Sequence, residues 1–123
     1  MAHHLKLPIW RDANQLLLEI EQAVARFPRY HKYAIGTDMR RQAMALCRQI
    51  VLAANQRPQQ PQHIEQLSLE VDELKVMIQL AKSLKAFQNF AQFQRCVELA
   101  VSVGKQSGGW LRHLHAAQNG RQQ

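Results

Sequence analysis

The chain has 123 residues, 46% of them apolar, with five glycines and four prolines. That is enough for one core, too little for two, and too apolar for a disordered segment. The formal charge of +7 either serves solubility or meets an anionic partner, a nucleic acid or an acidic protein surface. No apolar run nears the roughly 20 residues of a membrane span and no secretory leader opens the chain, so a cytoplasmic protein without a membrane contact is expected.

Ile9, Ala13, Leu16, Ile20, Val24 and Phe27 recur by threes and fours. This spacing predicts a first helix over about 8–27, with Pro8 in its opening turn. Trp10, Leu17 and Ala23 widen the stripe, and Arg11, Gln15, Glu19, Gln22 and Arg26 take the wet side. Pro28 interrupts, because proline restricts its predecessor and cannot continue a helix. Ile35, Met39, Ala43, Leu46, Ile50 and Ala53 then mark a second helix over about 33–55. Arg41 and Arg48, two turns apart, share one face beside that stripe.

The stretch 56–62 holds Pro58, Pro61 and four glutamines and reads as a polar breaker. A third helix follows over about 63–84, its seam made of Leu67, Val71, Leu74, Ile78 and Ala81. A second apolar set, Leu69, Val76, Met77 and Leu80, implies another neighbour, either the bundle interior or a second subunit. Past Phe87 and Phe90, a fourth helix is predicted over about 91–115. Its stripe is Phe93, Val97, Ala100, Gly104, Ser107, Leu111 and Leu114, flanked by Cys96, Leu99, Val103 and Trp110. Gly104, Gly108 and Gly109 cost helix stability. They call for close approach of a helix or a Trp ring, or else for a kink or an early end near Gly108. The polar tail, 118–123, is expected to fray.

Short links between amphipathic helices give an all-α, antiparallel up-down-up-down four-helix bundle as a single domain over 1–123. Nothing alternates like a strand. Cys47 and Cys96 fall inside apolar patterns and read as reduced core thiols.

Catalytic chemistry is missing from the pattern. His3, His4, His31, His63, His113 and His115 stand at no convincing ligand spacing, and there is no phosphate loop after a strand. Glu65, Glu70, Asp72 and Glu73 read as a solvated face or as a surface for a basic partner. The expectation is a chain without catalytic residues, metal ligands or cofactor.

Positive charge is uneven. Residues 29–57 carry Arg29, Lys32, Arg40, Arg41, Arg48 and Arg57 against Asp38 alone, and residues 82–123 carry Lys82, Lys85, Arg95, Lys105, Arg112 and Arg121 against Glu98 alone. If the second and fourth helices lie together, these charges merge into one basic surface. Arginine suits it, because its planar fork meets phosphate oxygens with paired hydrogen bonds. Tyr30, His31 and Tyr33 could stack on bases; the plainer expectation is that the tyrosines cap the end of the bundle.

Phe27-Pro28-Arg29-Tyr30-His31-Lys32 after an amphipathic helix resembles the turn of the four-helix-bundle proteins encoded in ribosomal RNA intervening sequences. It is more similar to that of their relatives, the accessory variability determinant (Avd) proteins of diversity-generating retroelements. Pro28, Arg29 and His31 match that family's turn, and Gly108-Gly109-Trp110 with Arg112 match its late small-residue-then-Trp motif. The resemblance implies a basic bundle that assembles as a homopentamer. It also implies that the chain binds the element's reverse transcriptase and RNA or DNA, and supports mutagenic cDNA synthesis without being the polymerase. On that reading Arg29, Lys32, Arg40, Arg41 and Arg48 contact nucleic acid or polymerase, with Lys82, Arg95, Lys105 and Arg112 as secondary contacts. Leu69, Val76, Met77 and Leu80 would form the subunit interface. An intervening-sequence bundle protein and a helical protein-interaction adaptor are the rival readings.

Overall fold

Pro8 opens the first long helix, α1 (Pro8–Ala25), where its missing N–H costs nothing. The computed structural model describes residues 3–122. α1 stops at Ala25, two residues short of the predicted end. The N–H groups of Arg26 and Phe27 close tight turns on the carbonyls of Ala23 and Val24, and Pro28 then forbids continuation. Phe27 stays buried all the same. A single turn, α2 (Arg29–Lys32), leads into α3 (Ile35–Asn55).

The 56–62 stretch is only in part a breaker. Arg57–Gln59 form a 3-10 turn, and α4 (Gln60–Ser83) begins three residues before the predicted start, with Pro61 in its first turn. Gln60 Nε2 also donates to the Ala53 carbonyl (2.7 Å), answering a free acceptor at the end of α3. α4 ends in a left-handed cap: the Ala86 N–H bonds the Ala81 carbonyl and the Lys85 N–H bonds that of Lys82, both at 2.9 Å. Lys85 occupies the position with φ 59°, which glycine would fill with less strain.

α5 (Phe90–Gln122) neither ends near Gly108 nor stops at residue 115; it runs on to Gln122. No proline follows Pro61, so no backbone donor is missing, and single glycines weaken a helix without breaking it. At 1.5 Å per residue, the 33 residues of α5 reach about 50 Å, well past the 18-residue α1.

α1 packs on α3 and α5, and α4 packs on α3 and α5. The result is an all-α, up-down-up-down bundle of four long helices, with no strand among the described residues. Leu16 and Ile20 of α1, Met39, Leu46 and Ile50 of α3, and Leu67, Val71, Leu74 and Ile78 of α4 fill the middle. The stripe of α5 is rotated from the predicted one. Phe93, Cys96, Ala100, Val103 and Ser107 are buried, whereas Val97 and Gly104 sit at the edge. Ser107 is tolerated in the core because its hydroxyl donates to the Gly104 carbonyl and pairs with Ser68 Oγ, each at 2.9 Å.

Both cysteines are buried free thiols. Burial, then the nearby Glu19 carboxylate, pushes the Cys96 thiol up to about 12, and burial raises Cys47 as well.

Candidate nucleic-acid interface

The bundle order decides where positive charge can gather. α3 and α5 are diagonal across the core. The second and fourth long helices therefore do not lie together, and the expected merging of their charges along one shared surface does not occur. Each presents its own face.

On α3 the outward face reads Arg41, Met44, Arg48 and Leu52, all exposed. Inward positions fall on Met39, Ala43, Leu46 and Ile50, and the helical repeat leaves the two arginines on the opposite side. Neither forms an ion pair among the described residues, and both guanidiniums are open to an anion. Arg40, one residue away, is already engaged. Its Nε lies 2.7 Å from Glu21 Oε1 on α1, and Arg40 and Lys32 help line a cleft of about 230 Å³ beside Val24.

Arg95 on α5 mirrors that arrangement, with Nε 3.2 Å from Glu19 Oε2. The two acids of α1 thus brace the helix against α3 on one side and α5 on the other. Each pair is partly exposed and contributes roughly 0–1 kcal/mol. Arg40 and Arg95 are accordingly bracing residues as well as cations.

The end of the bundle where α1 passes to α3 and α4 passes to α5 collects Arg29, Lys32 and Lys82. Lys82 Nζ stands over the rings of Phe93 (4.7 Å) and Phe90 (5.6 Å). Arg26 and Lys85, which the sequence argument passed over as site residues, belong to the same end. The closeness of Lys82, Lys85, Phe87 and Phe90 in the sequence was the available signal. Tyr30 and Tyr33 do not cap this end, contrary to the plainer expectation; both are exposed. Phe27, Phe87 and Phe93 fill it instead, in edge-to-face pairs with ring centroids 5.2 and 5.6 Å apart. Lys105 and Arg112 are exposed towards the opposite end of α5, and the Arg121 side chain lies outside the described residues.

α4 presents a different surface. Leu69, Val76 and Leu80 are 64%, 57% and 52% exposed and lie in one outward row, continued by Leu84. Met77 does not belong to that row. It is half-buried against the core, because seven residues from Glu70 it falls on the flank facing α3, where Gln42 Nε2 donates to the Glu70 carbonyl (2.9 Å). Asp72 and Glu73 flank the exposed row.

No group of three or more His, Cys, Asp or Glu among the described residues has the arrangement to hold a metal ion. No described helix is long and apolar enough to cross a membrane. The model of the bAvd-like family matches residues 9–114. The chain belongs to the bAvd-like family. The match takes in all four long helices, from Ile9 on α1 to Leu114 on α5. No curated protein matches the sequence.

Proposed function

We propose that this bAvd-like chain is the non-catalytic accessory subunit of a diversity-generating retroelement. It binds the element's reverse transcriptase and template RNA in the cytoplasm and supports mutagenic cDNA synthesis as a homopentamer. The observation that carries the reading is the family match across all four long helices. Two features of the surface support it. Arg41 and Arg48 stand outward on α3 without ion pairs among the described residues, and the apolar row of α4 is uncovered in the single chain. In this reading Arg29, Lys32, Arg41 and Arg48 meet phosphate or polymerase first. Lys82, Lys105 and Arg112 add to the field, and Arg40 and Arg95 contribute charge while bracing α1.

Salt-dependent RNA binding is the test. Affinity should fall steeply with salt, each lost phosphate contact on a single strand reducing the log–log slope by about 0.7. Arg41→Glu with Arg48→Glu should abolish binding while leaving the helical signal intact. Unchanged binding by that double variant would remove α3 from the interface. The exposed row on α4 favours a second reading, a protein-interaction adaptor. Capture of the reverse transcriptase by a chain with no RNA affinity would select it.

A further inference from the structure

Around the uncovered apolar row of α4 stand three exposed acids, Glu65, Asp72 and Glu73. Among the described residues Glu65 and Glu73 have no ion pair, and Asp72 has only Lys75, at 3.7 Å. An apolar row with a charged rim marks a contact with another protein surface. A second α4 suits it badly, because two-fold pairing sets these acids against their own copies. The outward faces of the other helices differ among the described residues. α1 exposes one large apolar side chain, Leu18, and α5 exposes none beyond Phe90. α3 exposes Met44 and Leu52, interleaved with Arg41 and Arg48. Only this face offers both an apolar counterpart and the opposite charge.

We propose that the row of α4 docks on the outward face of α3 of a second copy of this chain. The register of the bundle favours the match. Gln42 Nε2 meets the Glu70 carbonyl and Gln49 Nε2 the His63 carbonyl, both at 2.9 Å. Within a residue, Arg41 therefore stands level with Asp72, Met44 with Leu69, and Arg48 with Glu65. A rotation about an axis along the bundle leaves these levels unchanged, so a neighbouring copy brings each arginine to an acid and Met44 to Leu69. α3 and α4 are adjacent in the bundle, and their outward faces point about a quarter turn apart. Contacts between such faces turn each copy against the last and can close a ring, whereas α1, diagonal to α4, would extend a straight row of copies. The inference rests on the assembly reading above and supplies its missing half. It also gives Arg41 and Arg48 to the subunit contact, so that they act on RNA through the assembly while the other cations meet phosphate.

The test is the solution mass of charge-exchanged chains, measured by light scattering with the helical signal as the check on folding. One chain carries Arg41→Glu with Arg48→Glu, a second carries Glu65→Arg with Asp72→Arg, and a third carries all four substitutions. The four positions are exposed, so the core is spared. Each of the first two chains should fall to the mass of one copy. The third should regain the wild-type mass, because the facing charges are exchanged rather than removed, and a merely destabilising effect would not be repaired in this way. Wild-type mass in the Arg41→Glu with Arg48→Glu chain overturns the contact and leaves the homopentamer reading standing; loss of RNA affinity by that same assembled chain would return the two arginines to the nucleic acid. A third chain that stays at the mass of one copy overturns the register, and the proposal with it. A wild-type chain that is monomeric at micromolar concentration overturns both the contact and the assembly.

Discussion

Glu70 is the one carboxylate among the described residues with a buried oxygen left unpartnered. Its Oε1 accepts from Gln66 Nε2 at 3.3 Å, while Oε2 is buried with no partner among the described residues. Burial raises its pKa above the ordinary carboxylate range; Glu73 adds to the rise, and the Gln66 bond and Arg48 oppose it. A folded-state pKa above the unfolded value means that the native chain holds the proton more tightly. The charged form therefore weakens the fold at neutral pH, and that weakness fades as pH falls through the raised pKa towards the unfolded one. Glu70→Gln should raise stability at pH 7, by no more than about 1 kcal/mol because the group is only partly shielded. The gain should shrink in acid, as denaturant titrations at neutral and acid pH would reveal. A gain that grows in acid would contradict the assignment.

Among the helices, the glycines separate into those that packing requires and those it does not. A Cβ on Gly36 would stand 2.7 Å from Val24 Cγ1 and 3.1 Å from the His31 carbonyl oxygen. The entry to α3 lies that close to the end of α1, so Gly36→Ala should cost about 1–3 kcal/mol despite the better helix propensity of alanine. Gly104 permits the approach of α4, at Val71 and Lys75. At Gly108 and Gly109 an added Cβ meets only the Arg112 side chain, at 3.5 and 3.8 Å. Gly108→Ala should therefore stabilise α5 by up to about 1 kcal/mol. Thermal melts of the two variants should shift in opposite directions, and a shared direction would refute the distinction.

For the whole molecule, the relevant surface is the row formed by Leu69, Val76 and Leu80. Because the row lies outside the core, charging it does not threaten the bundle. Leu69→Glu with Val76→Glu should keep the helical signal and melting temperature near wild type while reducing the mass measured by light scattering to that of one chain. A wild-type chain that is monomeric at micromolar concentration would show that α4 is not a subunit contact. The same two substitutions should leave the salt slope of RNA binding per chain unchanged, since no cation is lost.

Periodicity was enough to read four amphipathic helices: the predicted stripe from Ile9 to Phe27 is buried, with Trp10 and Leu17 half-buried beside it, because a three–four spacing has one way to hide its apolar side. The Pro28 stop was legible for the same local reason. The start of α4 at Gln60 and the unbroken course of α5 were not, since Pro61 serves equally as a breaker and as a first-turn residue, and glycine penalties can be met by the rest of the helix. Amphipathic stripes say which side faces inward but not which helices become neighbours. That choice set α3 and α5 on a diagonal, paired Arg40 and Arg95 with two acids of α1, and kept Met77 off the exposed row. It also brought Gln22 and Arg26 against Gln92 and Arg95, residues some 70 positions apart in the chain. Local chemistry along the sequence determines where helices form and which residues are charged. Only long-range packing decides which charges are already satisfied and which remain free to bind.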